Sequence, residues 1–189
     1  MTRSTMTSLI AELRQLTFTG INDYAIGATY YWSDDQLEDV LDRHSVRYNH
    51  VVIAPETEWN TGGAIYKTYR TNIPHWEGTA TTYLQDATGG TVSGASYTFD
   101  ANAGVFTFTA TTGGAYYYVT GYAYDLNRAA AEVWRIKAAH AAIAYDVSTD
   151  NHNLKRSQIV AQALQMAQMY DNMAGPGLVT LTRSDVSTE

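Results

Sequence analysis

The chain has 189 residues, 45% hydrophobic and 16% charged, with 19 acidic against 12 basic side chains and a formal net charge of -7. That length suffices for one well-buried core carrying an insertion, and the acidic balance withholds the counterion-releasing phosphate contacts that tight nucleic-acid binding needs. With no cysteine there is no disulfide, thiolate metal site or thiol nucleophile, and with no signal-like run and no stretch of about 18 apolar residues the chain reads as neither exported nor membrane-spanning.

A first amphipathic helix is predicted from Ser4 to Leu16, where Met6, Leu9, Ile10, Leu13 and Leu16 recur at helical spacing. Gly20, Asn22, Asp23 and Gly27 then punctuate a loop or short hairpin. A second helix opens at Ser33, with Gln36 three residues on to complete a capping box, Asp34 and Asp35 at the positive end, and Trp32 placed to staple onto Leu37. Leu37, Val40 and Leu41 form its buried stripe, which fails near His44.

From Val46 to Tyr122 the composition turns to Thr, Tyr, Val and Gly, which suits pleated, half-buried surfaces. Strands are expected over Val46-Ile53, Ala64-Asn72, Thr81-Gln85, Ala95-Phe99, Val105-Thr111 and Tyr116-Tyr122, separated by Gly-Gly turns. A helical hairpin follows. Its first helix starts near Asp125, presents Leu126, Ala129, Ala130, Val133 and Trp134, and ends at Tyr145 before a turn. The second, after Lys155, carries Ile159, Val160, Ala163, Leu164, Ala167 and Tyr170 on one face and Met166, Met169 and Met173 along a flexible apolar edge, until Gly175-Pro176-Gly177 stops it. Leu178-Val179-Thr180-Leu181-Thr182 is strand-prone, and Arg183 to Glu189 is a polar, acidic end.

The expected architecture is α+β: a bundle of about four helices from the two chain ends (1-45 and 124-175), a large antiparallel β insertion (46-123) between helices 2 and 3, and an extended tail (176-189). Trp32, Leu37, Leu41, Trp134 and Tyr145 are its expected core, with Trp134 as an anchor.

Catalytic chemistry finds little to stand on. Asp146, Ser148 and Asp150 alternate as in a calcium loop, but Asn151 stands where the sharp turn needs Gly and Ser157 where a bidentate Glu should be. A plain inter-helix turn is the better reading. Asp34, Asp35, Glu38, Asp39 and Asp42 share one helix and form its solvated face, not an acid-base pair. The five histidines have no ligand spacing, no G-x-S-x-G elbow occurs, and no Gly pair precedes a helix as a phosphate loop requires. No enzyme activity, metal or cofactor is expected. Trp59, Tyr66, Tyr69, Trp76 and Tyr83 could stack sugars, although core and cross-strand packing is the better reading for them.

Four stretches, in this order and spacing, carry a likeness: Leu9-Ile10-Ala11-Glu12-Leu13-Arg14; Tyr31-Trp32-Ser33-Asp34-Asp35-Gln36-Leu37 running to Leu41-Asp42; Tyr124-Asp125-Leu126-Asn127 with Ala129-Ala130 and Trp134; and Ala144-Tyr145-Asp146 with Arg156-Ser157-Gln158. In these the chain resembles the head-tail connector (adaptor) proteins of tailed bacteriophages, departing from the smaller, mainly helical members by its long Val46-Tyr122 segment. The resemblance implies a non-enzymatic virion protein of the neck, assembled in the host cytoplasm. It would form a homo-oligomeric ring beneath the portal protein, meet the tail or a further neck protein, and extend a channel through which DNA passes without specific binding. The expected portal or subunit contacts are Leu178, Val179, Leu181 and Arg183 of the tail and Met166, Met169 and Met173 of the last helix. The alternative is an aromatic-rich carbohydrate- or receptor-binding module of a virion.

Overall fold

The computed structural model describes residues 2–26, 28–142, 147–149, 152–154 and 156–174. A 3-10 turn, Ser4–Met6, runs into helix α1, Thr7–Thr17, which buries Leu9, Ile10 and Leu13. It stops at Phe18, whose left-handed backbone (φ 50°) turns its N–H onto the Arg14 carbonyl. Strands β1 (Tyr24–Ile26) and β2 (Thr29–Tyr31) pair as a hairpin. Helix α2, Asp34–Arg43, opens on a complete capping box: Gln36 N–H donates to the Ser33 hydroxyl and Ser33 N–H donates to the Gln36 side chain at 3.1 Å.

Eight strands follow: β3 (Ser45–Ile53), β4 (Glu58–Asn60), β5 (Gly63–Ile65), β6 (Thr68–Arg70), β7 (Tyr83–Gln85), β8 (Tyr97–Asp100), β9 (Val105–Phe108) and β10 (Tyr117–Tyr124). The expected strand Ala64-Asn72 is broken in two, because Ile65 pairs back on Glu58 while Thr68–Arg70 pairs onto β9; one run cannot serve partners in two sheets. Helix α3 spans Leu126–Ala142 and α4 Arg156–Met173. The turn expected between them holds a short hairpin, β11 (Val147–Thr149) with β12 (His152–Leu154).

Among the described residues the molecule is α+β with four α-helices, but it does not form the expected bundle bearing one large antiparallel insertion. Among the described residues the strands form five small antiparallel sheets: β3-β10-β7, β6-β9-β8 and three two-stranded hairpins, two of which lie outside the supposed insertion. Only α3 and α4 pack along their length, with Asn127 Nδ2 donating to the Met173 carbonyl at 3.2 Å across the ends; α1 and α2 meet α3 and each other over short stretches. Chain and side chains both tie the strands to the helices. α2 leads directly into β3 and β10 into α3, and the chain between β6 and β7 returns to the helices, where Glu77 is buried against Thr5 and Tyr124.

Two hydrophobic clusters result. One joins Met6, Leu9, Leu13, Trp32, Leu37, Leu41 and the small face of α3 (Ala129, Ala130, Ala131, Val133) to Tyr170 of α4. The other gathers Ile53, Tyr69, Trp76, Leu84, Phe106, Phe108 and Val119 between the two three-stranded sheets. β10 serves both, since Val119 and Ala123 face the second cluster and Tyr124 belongs to the first. On β3 the register slips between Val119 and Gly121 of its partner, so Asn49 and His50 together oppose Thr120; His50 takes the left-handed conformation (φ 56°) and gives its N–H to the Thr120 hydroxyl at 3.0 Å. Gly104, at φ 65°, lies where a Cβ would run into the Ile73 carbonyl and the Thr71 hydroxyl, so the β8–β9 hairpin end is clamped on the 71–76 loop. Among the described residues no helix is long and apolar enough to cross a membrane.

Candidate functional site

A helix end leaves its last carbonyls without partners, and α1 finds donors for them on the α3–α4 pair. Tyr170 Oη donates to the Leu16 carbonyl at 2.9 Å and Trp134 Nε1 to the same oxygen at 3.4 Å, while Lys137 Nζ donates to Thr17 at 2.7 Å and Phe18 at 3.3 Å. Lys137 also lies 4.9 Å from the centre of the Trp134 ring. Burial pushes the Lys137 ammonium below the ordinary lysine pKa, with Asp23 pulling the other way. These contacts fix α4, because Ala163 and Ala167 present only methyl groups inward and Tyr170 is, among the described residues, the one large side chain of α4 that is buried.

The flank of α4 beside this buried face is apolar and uncovered. Ile159, Met166, Met169 and Met173 follow one another at helical spacing; Met166 is half-buried against the core, whereas Ile159, Met169 and Met173 are 49%, 42% and 59% exposed. A second uncovered apolar area follows α1, where Phe18 and Ile21 are 74% and 72% exposed and Phe18 stands edge-on to Trp134 at 6.3 Å. The loop or short hairpin expected after α1 assigns Phe18 and Ile21 no role. Their signal was two large apolar residues flanking Gly20 with no periodic segment to bury them.

The seam between helices and strands is polar. The Glu77 side chain, fully buried, accepts from Thr5 Oγ1 at 2.6 Å and Tyr124 Oη at 2.9 Å, with Arg3 Nη1 3.7 Å away. Arg3 also binds Glu38 at 2.6 Å, and Asp42. Burial acts against the Arg3 charge, but Asp42 and Glu38 outweigh it and hold its pKa above the usual arginine value. Burial, then the bond to Glu77, pushes the Tyr124 phenol well above its usual range. Nearby, a cleft of about 430 Å³ opens between Arg43, His44, Asn72, His75, Asp125 and Arg128. Its basic side chains are engaged: Arg43 and His44 each lie 2.7 Å from Glu132, and Arg128 is 3.3 Å from Asp125. Among the described residues no group of three or more His, Asp or Glu is placed to hold a metal ion. The arrangement binds the chain to itself, and no nucleophile-base pair emerges from it.

Of the expected core residues, Trp32 is 2% exposed and Leu37 and Leu41 are fully buried, whereas Trp134 is half-buried at the rim and Tyr145 lies outside the described residues. Leu178, Val179, Leu181 and Arg183 lie outside them as well. The five aromatics considered for sugar stacking do not share a surface: Tyr69 and Trp76 are fully buried, with the Trp76 indole donating to the Ile73 carbonyl at 2.6 Å, while Trp59 is 79% exposed on the β4–β5 hairpin. No known protein family matches the chain, and no curated protein matches it either.

Proposed function

We propose that this chain is a non-enzymatic structural subunit of a tailed-phage neck, assembled in the host cytoplasm into a homo-oligomeric ring beneath the portal protein and above the tail or a further neck protein. The observation that carries the reading is the α4 flank, where Ile159, Met169 and Met173 remain uncovered beside a face already packed on α3. Adaptable methionine surfaces of this kind suit a heterologous contact repeated round a ring. The tail residues Leu178, Val179, Leu181 and Arg183 are assigned to the portal contact, since a short apolar, strand-prone segment can add to a partner's sheet or fill its groove. The net charge of -7 supports a channel role, because an acidic wall repels the like-charged duplex and lets it pass.

Native mass measurement of the full chain, alone and with the cognate portal protein, tests the assignment. Rings or a ring-portal complex are expected, with Met169→Glu and Met173→Glu reducing ring formation at unchanged melting temperature and deletion of 178-189 abolishing co-sedimentation with portal rings. A chain that stays monomeric at every concentration and ignores portal overturns the reading. Full portal affinity in the truncated protein removes the tail from it.

A further inference from the structure

Alternation along β7 and β10, matched by β3 on either side of its bulge, sends one set of side chains to the aromatic core and the other outward. In the β3-β10-β7 sheet, Leu84, Val119 and Ile53 are buried inward, and the register sets Tyr118 beside Gln85 and Thr120 beside Tyr83 on the opposite face. Tyr122 pairs with Arg47 on that same face. Tyr118 and Tyr122, four residues apart on one strand, stand about 13 Å apart, with Tyr83 between them on the next strand. Tyr83 and Tyr122 are 39% and 36% exposed, and Tyr118 is half-buried.

Two of these rings are already held. His50 stacks on Tyr118 with centroids 4.1 Å apart and planes at 10°, and the Arg47 guanidinium sits 5.9 Å from the centre of Tyr122. His50 is fixed in turn by the β3 bulge and by Gln85, 3.3 Å from its Nδ1. Arg47 differs from every other arginine whose side chain is described: those six each meet a carboxylate, and Arg47 meets none among the described residues. In a chain of net charge -7, an arginine without a carboxylate on a tyrosine face selects for an anion supplied from outside.

We propose that this face is a saccharide-binding platform for an anionic, uronate-type glycan segment. A sugar ring lies on Tyr83, the tyrosine hydroxyls bond its hydroxyls, and a glycan carboxylate meets Arg47. Single-stranded nucleic acid would also offer rings and anions, but its backbone calls for a groove of several cations, and this face has one arginine. The platform lies on the strands, away from α4, and stands independently of the neck assignment.

The test is calorimetric titration of the full chain with oligogalacturonate and with a hyaluronan oligosaccharide, against methyl-esterified oligogalacturonate and an oligothymidylate. At least one of the two acidic glycans is expected to bind in preference to the ester and the oligonucleotide. Arg47→Gln should erase the preference over the ester, Tyr83→Ala should weaken binding roughly tenfold, and Trp59→Ala should leave it unchanged, all at unaltered melting temperature. Absence of binding by both acidic glycans at millimolar concentration overturns the proposal. So do equal binding of the ester, tighter binding of the oligonucleotide, or loss of binding in Trp59→Ala alone. If the melting temperature of Tyr83→Ala falls, Arg47→Gln decides alone.

Discussion

The helical and the β cores are filled with contrasting materials. Around α3 the filling is aliphatic and small, with Leu, Met and a run of alanines that brings helix backbones close. Between the three-stranded sheets it is aromatic: Tyr69 meets Phe108 and Tyr117 edge-on at 5.3 Å, and Phe99 stacks on Phe106 at 4.2 Å. Rings bring polar handles that must be satisfied inside, so the Tyr69 hydroxyl is bonded to the Ala115 carbonyl at 2.8 Å and to Thr112. Alanines bring none, and specificity in the helical core falls to caps and to the donors gathered at the end of α1. One chain thus fills one layer largely with small aliphatic groups and the other largely with rings, and the buried Glu77 carboxylate lies at their seam.

The sharpest way to break that comparison is to remove one tryptophan from each layer. Trp76→Ala empties a fully buried, doubly bonded site in the β core, and is expected to cost about 3–5 kcal/mol, lowering the melting temperature by roughly 10 °C or more. Trp134→Ala, at the half-buried rim, is expected to cost about 1–2 kcal/mol. Equal losses in thermal melts would show that ring burial does not distinguish the layers.

Glu77→Gln tests the joint. It removes the charge that holds Thr5, Tyr124 and Arg3, and should cost about 2–3 kcal/mol while splitting one calorimetric transition into two as the layers uncouple. A single transition at the original temperature would deny Glu77 its joining role. The same site has a pH signature. The folded Tyr124 pKa lies above its unfolded value, so its contribution is fully present below about pH 10 and is lost as pH rises through the folded value. Tyr124→Phe should therefore flatten the alkaline fall in melting temperature, and an unchanged pH profile would locate that fall elsewhere.

The smallest expected effect concerns the helical layer alone. Ser33→Ala removes the acceptor for Gln36 N–H and should cost about 1 kcal/mol, visible as a small shift in the chemical denaturation midpoint with unchanged slope. A loss as large as that of Trp76→Ala would mean that the cap, not the aliphatic filling, governs the helices.

What could be read from the chain was what is local. Ser33 and Gln36 announce their capping box three residues apart, and the period of Leu9, Ile10 and Leu13 marks α1 without help from elsewhere. Pairing is not local. Nothing within Ala64-Asn72 says that its two halves join different sheets, and a strand as short as Glu58–Asn60 has too few residues to alternate visibly. Trp134 drew attention by size, but its depth depends on where α1 ends, 118 residues away. Glu77 gave no signal at all, since its partners Thr5 and Tyr124 meet it only once the layers close. The tyrosine face was half in view: Tyr83 stands among the candidate stacking aromatics, whereas Tyr118 and Tyr122 belong to a segment expected only as a strand, Tyr116-Tyr122.

The bulge at Asn49 and His50 governs how crowded this protein can become. β3 is the longest strand among the described residues and stands at the edge of its sheet, the position from which chains polymerise by adding strand to strand. With His50 turned left-handed and its N–H already spent on Thr120, an incoming strand finds one short run on either side of the kink and no continuous ladder. A copy at high local concentration can press against its neighbours by side chains while its backbone refuses to template them, which separates ordered assembly from fibril growth.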